Sequence, residues 1–206
     1  MGNNGIAMEL VEDPPVKLPG RPRCPMTHQS ILDAANDLLE EIGFAAMSIE
    51  GIAARAGVGK ATIYRRWPNK ASVVMDAFLA ATSREIPFPN TRSPREDIRR
   101  QMRSVVKMLN SSRGRIITTL IGAGQSDAEL AEAFLTRFVA IRRGEAKQVL
   151  QRAIDRGELR RNTDLEFALD SLYGPLYYRR LIGHEKITTQ YADDLADLVF
   201  QSHAAT

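Results

Sequence analysis

One segment constrains the fold of this chain more than any other: residues 48–70, SIEGIAARAGVGKATIYRRWPNK. Its first half places apolar residues at helical spacing behind Ser48, whose hydroxyl can cap the first turn of a helix. Gly57 can adopt the left-handed conformation that ends this helix, and the small Ala53 lets a second helix cross the first closely. We expect that second helix at about Gly59 to Trp67. The segment therefore predicts a helix-turn-helix.

The charge of this segment indicates what its outer face binds. Residues 55–70 include five basic side chains and no acidic one, although the whole chain has 28 Lys and Arg against 25 Asp and Glu. A helix fits the major groove of B-form DNA, where cations hold phosphates and short side chains reach base edges. A solvated charged face is the alternative. The turn glycine, the small packing alanine and the apolar spacing together favour DNA binding.

The residues of this segment divide into two groups of predicted DNA contacts. The expected phosphate contacts are Lys60, Tyr64, Arg66 and Lys70. The expected contacts to base edges or groove walls are Ala61, Thr62 and Arg65. Ser48 is expected to donate to a phosphate as well as to cap its helix, whereas Trp67 is expected to pack inside the domain.

The same residues resemble the DNA-binding domain of the tetracycline-repressor (TetR) family. The resemblance spans about Gln29 to Leu79 and is carried by residues 48–49, 52–58 and 62–70. The chain departs from the family pattern at Arg66, where many members have histidine, and at Gly59, where many have serine. The resemblance implies an all-α protein, in which a three-helix helix-turn-helix domain precedes a C-terminal helical bundle for regulation and dimerisation.

Residues 1–25 differ in composition from the rest, since they contain five prolines and several glycines. Such a composition predicts a flexible arm rather than a helix or a strand. Its end, Pro19-Gly20-Arg21-Pro22-Arg23, resembles the arginine hooks that enter narrow minor grooves of A·T-rich DNA. Arg21 and Arg23 are therefore candidate minor-groove contacts, and a plain basic linker is the alternative.

The overall composition predicts a globular protein without a membrane partner, since 44% of the residues are hydrophobic and 26% are charged. No apolar run approaches the length of a membrane span, and the N-terminal MGNNGIAMELVEDPP lacks the basic and apolar regions of a secretory signal. The single Cys24 cannot form an internal disulfide, which agrees with a reducing compartment. We therefore expect a cytoplasmic location.

The remaining sequence predicts helices separated by glycine and proline breaks. We expect these helices at about Thr27 to Ile42, Lys70 to Ala81, Pro94 to Leu109, Arg115 to Ile121, Asp127 to Gly157, Asp164 to Ile182 and from Thr188 or Thr189 onwards. In the helix that begins at Asp127, Leu135 and Ile141 are expected to face inward. The chain is thereby divided into an arm (1–25), a DNA-binding domain (26–71) and a ligand-binding and dimerisation domain (72–206).

The resemblance extends to residues 164–200, whose Tyr-Gly-Pro-Leu-Tyr-Tyr-Arg segment is similar to the C-terminal part of one TetR subgroup. There the last two helices pair with their copies in a second subunit, and the helical core of the family holds a small ligand. The implied dimer contacts are Leu169, Tyr178, Leu181, Tyr191, Leu195, Leu198 and Val199. The candidate ligand contacts are Met102, Val106, Leu120, Phe134, Phe138, Leu172, Tyr173, Leu176 and Tyr177. A dimer also has an independent argument, because one short recognition helix contacts too few base pairs to be selective.

The phenylalanines and tyrosines in this set favour a small apolar or aromatic effector. Each candidate taken alone is more often a plain core residue. The resemblance implies a repressor that binds a palindromic operator in double-stranded DNA and leaves it when the effector binds, because the effector fits better when the DNA domains are splayed. The expected lever is the helix at residues 115–121, which would push the helix at residues 70–81.

Two other functions compete with this hypothesis. An enzyme is disfavoured, because no Ser-His-Asp, paired-carboxylate or metal-ligand spacing stands out and the three histidines, His28, His184 and His203, lie far apart. We accordingly expect no catalytic residue, metal site or cofactor. A helix-turn-helix regulator without a small ligand stays open, whether controlled by a protein partner, constitutive or an activator, since an apolar bundle interior and a ligand cavity look alike in sequence.

Overall fold

The computed structural model describes residues 25–82 and 88–205, and these residues form a helical protein. The helices are α1 (Pro25–Ala46), α2 (Ile49–Ala56), α3 (Lys60–Tyr64), α4 (Lys70–Thr82), α5 (Pro94–Leu109), α6 (Ser112–Gly124), α7 (Ala128–Phe134), α8 (Ala140–Asp155), α9 (Leu165–Ile182) and α10 (Thr189–Ser202). A π-helical turn, Leu135–Val139, joins α7 to α8. Within these residues the one extended pairing is an isolated bridge between Leu159 and Ala204, so the predicted all-α class is confirmed.

The predicted helix-turn-helix is present in α2 and α3. Ser48 caps α2, because its hydroxyl oxygen accepts the backbone N–H of Gly51 at 3.1 Å. Gly57 ends α2 in the left-handed conformation, with φ 65° and ψ 35°. The next amide, that of Val58, donates to the carbonyl of Ala53 at 3.0 Å, which closes the turn. Both helices are therefore fixed locally, by a cap and a glycine.

Helix α1 is the scaffold of this unit, and it packs against α2, α4 and α6. It extends four residues beyond the predicted end at Ile42, which is half exposed rather than inside. Its regular path is broken at Gly43, whose φ of 75° and ψ of 167° suit glycine. This break turns Phe44 into the core, and Phe44 and Met47 are both buried beneath the helix-turn-helix.

Trp67 ends the recognition unit and is only 3% exposed. Its ring stacks on that of His28, with centroids 5.2 Å apart. Its indole N–H donates to a carboxylate oxygen of Asp76 in α4 at 2.5 Å. Trp67 thus packs, as the sequence predicted, and it attaches the end of the recognition unit to α1 and α4.

Helix α5 is central to the C-terminal bundle, since it packs against α6, α8, α9 and α10. Basic residues on one of its faces pair with acidic residues of α10. Arg95 contacts Asp197 at 2.7 Å, Arg99 contacts the same carboxylate, and Arg103 contacts Asp193 at 2.8 Å. Arg95 in particular lowers the pKa of Asp197. These ion pairs fix α10 along α5.

The long helix predicted from Asp127 is instead α7, the π-helical turn and α8 in succession. A π-helical turn contains more residues than an α-helical turn and rotates the side chains that follow it. Ile141, which follows this turn, is consequently exposed, although the sequence placed it inside. Leu135, the first residue of the turn, was also placed inside and is exposed, whereas Phe138 is buried. None of the helices within residues 25–82 and 88–205 has the length and apolar character that a membrane span requires.

The first turn of α6 generates a stability prediction at Gly114. A Cβ at this position would lie 1.9 Å from the carbonyl oxygen of Leu109, so Gly114→Ala must displace backbone. We expect it to lower the free energy of unfolding by about 1–3 kcal/mol. Gly122→Ala in the same helix has open space, and we expect it to stabilise by about 0.4–1 kcal/mol. Urea unfolding checks both values, and equal stabilities would contradict the close packing.

Candidate DNA-binding surface and interior cavity

Helix α3 presents most of the predicted DNA contacts at the surface of the protein. Its single fully buried residue, Ile63, anchors it against the core. The side chains around this anchor are exposed or half-buried, and they include Lys60, Ala61, Thr62, Tyr64, Arg65 and Arg66. The arrangement suits a helix that enters a major groove.

The basic side chains of this surface differ in how they are held. Lys60 forms an exposed ion pair with Glu50 at 2.9 Å, which lowers the pKa of Glu50 and raises that of Lys60. Such an exposed pair is weak and can be exchanged for a phosphate. Arg65 donates to the hydroxyl of Thr62 at 3.2 Å, which joins two predicted groove contacts. Arg55 is bound instead to Glu41 of α1, so it stabilises the domain.

Lys70 is held by contacts within the DNA-binding domain. Its ammonium donates to the backbone carbonyls of Phe44 and Met47 at 2.8 and 3.1 Å, and it lies 4.1 Å from the centroid of the Phe44 ring. These acceptors belong to the end of α1 and the turn after it, where carbonyls lack helical partners. These bonds give Lys70 a structural role in the domain, and its phosphate contact stays a prediction.

Three further predicted contacts are Ser48, which lies near this surface, and two arginines outside the described residues. The hydroxyl oxygen of Ser48 accepts the cap bond, which leaves its O–H free to donate to a phosphate. Arg21 and Arg23 belong to residues 1–24, which lie outside the described part of the chain. Their minor-groove contacts stay predictions.

A cavity of about 280 Å³ lies between α5, α6, the α7–α8 junction and α9. Four of the nine predicted ligand contacts line it: Phe134, Phe138, Tyr173 and Tyr177. The other lining residues are Gln101, Val105, Ile121, Val139, Arg142, Arg143, Leu169, Asp170 and Gly174. The cavity is therefore apolar over most of its wall, with polar groups from α5, α8 and α9.

The other five predicted ligand contacts do not line this cavity. They are almost completely buried among the helices, and they are Met102, Val106, Leu120, Leu172 and Leu176. On α5 and α6 the lining side chains are their immediate neighbours Gln101, Val105 and Ile121. Apolar periodicity identifies the helix face that is buried most deeply, whereas the cavity lies beside that face. A polar residue inside the bundle, Gln101, was the available sequence signal.

The uncharged polar side chains of the cavity wall are Gln101, Tyr173 and Tyr177. The hydroxyl of Tyr173 donates to the side-chain oxygen of Gln101 at 2.7 Å, and Gln101 is itself buried. Burial raises the pKa of Tyr173, and it raises the pKa of Tyr177 to about 12. Both phenols therefore keep their protons at neutral pH.

Charged groups lie along one side of the cavity and are paired with each other. Arg143 of α8 contacts Asp170 of α9 at 2.6 Å and also contacts Glu166, which raises its pKa. Arg142 contacts Glu145 at 2.9 Å. The pairs join α8 to α9, and each of these arginines already has an acidic partner.

An exposed apolar strip runs along α9 and α10, and we call it the α9–α10 apolar surface. It comprises Phe167, Tyr178, Leu181, Ile182 and Leu198. Three of these, Tyr178, Leu181 and Leu198, are predicted dimer contacts, and Phe167 and Ile182 lie on the same face of α9 without having been predicted. Such a strip is typical of an interaction surface.

Four predicted dimer contacts differ from this pattern. Leu169 is completely buried and lines the cavity, so its side chain is used inside the chain. Leu195 and Val199 face α5 and are almost fully buried. Tyr191 is half-buried beneath the guanidinium of Arg179, 3.5 Å from its ring centroid. The side chains of these four residues are thus packed within the chain, at least in part.

An exposed basic helix-turn-helix attached to a helical bundle defines the class of helix-turn-helix DNA-binding regulators. Residues 31–76 match the family model described as bacterial regulatory proteins, tetR family. Residues 88–199 match the model described as Tetracyclin repressor-like, C-terminal domain. The chain belongs to the TetR family of transcription regulators. It is a DNA-binding protein of transcription regulation and not an enzyme.

Individual relatives and solved structures are consistent with this family assignment. The HTH-type transcriptional regulator YdeS of Bacillus subtilis (strain 168) is 46% identical over 187 residues, which cover 91% of this chain and 94% of YdeS. The crystal structure of the TetR family transcription regulator SCO0332 is 32% identical with a TM-score of 0.73, covering 85% of this chain and 97% of that chain. The flavonoid-responsive regulator FrrA shares the fold at 22% identity and a TM-score of 0.69, covering 87% and 97%.

Lys60 and Lys70 have different hydrogen-bond partners, and this difference generates a pair of predictions. We expect Lys60→Ala to weaken binding to every DNA sequence and to reduce the slope of log affinity against log salt by about one, because it removes one phosphate contact. We expect Lys70→Ala to lower the melting temperature while the salt slope stays unchanged, because its ammonium bonds to carbonyls of the domain. Fluorescence anisotropy and thermal unfolding measure the two effects. A reduced salt slope for Lys70→Ala without a change in stability would restore the sequence prediction.

Proposed function

We propose that the protein is a repressor that binds a palindromic operator as a homodimer and leaves it when a small apolar or aromatic ligand enters the cavity. The observation that carries this proposal is a chain of polar contacts from the cavity wall to the recognition unit. Asp76 of α4 accepts the indole N–H of Trp67 and also binds Arg137 of the π-helical turn. Arg137 stands between Phe134 and Phe138, which both line the cavity.

The homodimer is supported by the α9–α10 apolar surface and by the short recognition helix. The α9–α10 apolar surface contains Phe167 and Ile182, which are both 61% exposed. Covering this surface with a second copy of the chain would be favourable, because it removes apolar area from water. Helix α3 has five residues and contacts few base pairs, so two copies related by a two-fold axis are needed for selectivity. A two-fold dimer matches a palindromic site.

A small ligand is supported by the size and lining of the cavity. Its volume of about 280 Å³ is just below the roughly 300–1,000 Å³ of drug-sized ligand sites, which suits a molecule of two or three rings. Apolar walls with a few polar groups are typical of such sites. FrrA, which shares the fold, is described as flavonoid-responsive, so a bundle of this shape is compatible with a response to a small aromatic molecule.

The packing of the helices favours a different route from the ligand cavity to α4 than the one that the resemblance implied. The resemblance pointed to residues 115–121 of α6 pushing α4. Helix α4 packs chiefly against α1 and α7, whereas α6 packs chiefly against α1, α5 and α7. We therefore propose that ligand binding moves α4 through the α7–α8 junction. Arg137 of this junction binds Asp76 and also lies close to the backbone carbonyl of Ser72.

Enrichment of random DNA duplexes by the purified protein tests the DNA part of the proposal. We expect a palindromic site, bound by two chains per duplex in analytical ultracentrifugation, with an affinity that falls steeply with salt. Cells that lack the gene should express the genes beside this site more strongly. A non-palindromic site bound by one chain would contradict the dimer, and lower expression in those cells would indicate an activator.

The contacts of Asp76 generate a prediction about ligand response. Asp76→Asn removes the charge that binds Arg137 but keeps an oxygen that can accept the Trp67 N–H. With the two-ring ketone 2-acetylnaphthalene as the test ligand, we expect unchanged ligand affinity and a decrease of about 0.5–2 kcal/mol in its coupling to operator binding.

The matched control for this prediction is Asp155→Asn, because Asp155 is exposed at the end of α8 and bonds only to Gln151 among the described residues. Its coupling should equal that of the unsubstituted protein. Titrating operator DNA with and without the ketone gives the coupling for all three proteins. If Asp76→Asn and the control show the same coupling between ligand binding and operator binding, Asp76 does not connect the cavity to the DNA-binding domain.

A further inference from the structure

The polar groups of the cavity specify the chemistry of its ligand more closely. We infer, on the basis of the ligand response proposed above, that the cavity binds a small, neutral aromatic molecule whose hydrogen-bond acceptor, such as a ketone oxygen, receives the hydroxyl proton of Tyr177. The inference rests on three features: an aromatic wall, one unpaired phenol and paired charges.

The aromatic wall is a cluster of phenylalanines at the α7–α8 junction. The ring centroids of Phe134 and Phe138 are 5.3 Å apart, and their planes are tilted by 36°. Phe78 of α4 supports them from behind, with its centroid 5.0 Å from that of Phe138 in an edge-to-face arrangement. Aromatic rings prefer such offset and edge contacts with one another, so this wall suits a planar aromatic ligand.

The two phenols of the cavity differ in their hydrogen bonding. The hydroxyl of Tyr173 is already used, because it donates to Gln101 at 2.7 Å. The hydroxyl of Tyr177 lies one helical turn further along α9 and has no hydrogen-bond partner among the residues that the structure describes. Its side chain is partly buried and lines the cavity, so this hydroxyl can donate to a ligand acceptor without breaking a hydrogen bond within the protein. Tyr177 is therefore the group that orients the ligand.

The charges around the cavity favour a neutral ligand over an anionic one. Tyr177 is protonated at neutral pH and donates a hydrogen bond without a compensating charge. Arg142 and Arg143 are each paired with carboxylates, and Asp170, one of these carboxylates, lines the cavity itself. A carboxylate ligand would have to lose its hydration and displace one of these acids, which costs more than burying a ketone.

Three probes with the same two-ring skeleton test the inference: 2-acetylnaphthalene, 2-isopropylnaphthalene and 2-naphthoate. The first carries an acceptor, the second replaces it by a methyl group of similar shape, and the third carries a charge. We expect calorimetry to give about five- to tenfold tighter binding for the ketone than for the hydrocarbon, which is the contribution of one hydrogen bond. The carboxylate should bind more weakly than either.

Two variants locate this preference at one hydroxyl. Tyr177→Phe should remove the advantage of the ketone and leave the affinity of the hydrocarbon nearly unchanged. Tyr178→Phe is the matched control, because the neighbouring phenol is 60% exposed and outside the cavity, and it should keep the full preference. Equal affinities of ketone and hydrocarbon in the unsubstituted protein, tightest binding of the carboxylate, or no binding of any probe would overturn the inference.

Operator binding separates this inference from the proposed function. If the ketone binds with the expected dependence on Tyr177 but leaves operator affinity unchanged, the ligand chemistry is supported and the release mechanism is wrong. If the hydrocarbon or the carboxylate binds at least as tightly as the ketone and releases the operator, the ligand chemistry is wrong and the release mechanism is supported.

Discussion

The carboxylate of Asp76 is the contact on which the relation between the two halves of the chain depends. It lies on α4 and accepts from Trp67 on one side and from Arg137 on the other. An indole nitrogen and a guanidinium are donors only, so the residue between them has to be an acceptor. Its partly buried position makes the loss of either donor more costly than at the surface. Asp76 therefore links the recognition unit to the cavity wall by polar contacts, beside the ring contacts of Phe78 with Phe134 and Phe138.

This arrangement explains why the π-helical turn matters. It places Phe134 and Phe138 in the wall of the cavity while it directs Arg137 towards α4. In a regular α-helix the side chains of this turn would point in different directions. The cavity wall and the ion pair between Arg137 and Asp76 would then not both be formed. π-Helical turns inside α-helices are rare and occur often at functional sites.

The features that the sequence predicted well are local ones. Ser48, Ala53 and Gly57 lie within ten residues of each other and specify the cap, the crossing and the turn of the helix-turn-helix. Lys70 could not be assigned in this way, because its carbonyl acceptors are 23 and 26 residues earlier in the chain. A basic residue beside a DNA-binding helix looks the same whether it binds a phosphate or the end of another helix.

The cavity was predicted only in part, for a related physical reason. Periodicity identifies which face of a helix is buried, and Leu172 and Leu176 are buried as expected. The cavity is the volume that several buried faces fail to fill, and this depends on the distances between helices. The π-helical turn changed the rotation of α8 as well, so Val139 rather than Ile141 faces the interior.

Helix α9 connects the two proposed functions of the C-terminal bundle. Its inner face carries Leu169 and Tyr177 in the cavity wall, and its outer face carries Phe167 and Tyr178 in the α9–α10 apolar surface. Pro175 lies between them and removes one backbone hydrogen bond from the middle of the helix, which makes bending at that point less costly. A ligand that presses on Tyr177 would thus act on the same segment that a second subunit contacts, so occupancy of the cavity and the geometry of the dimer would be coupled through one helix.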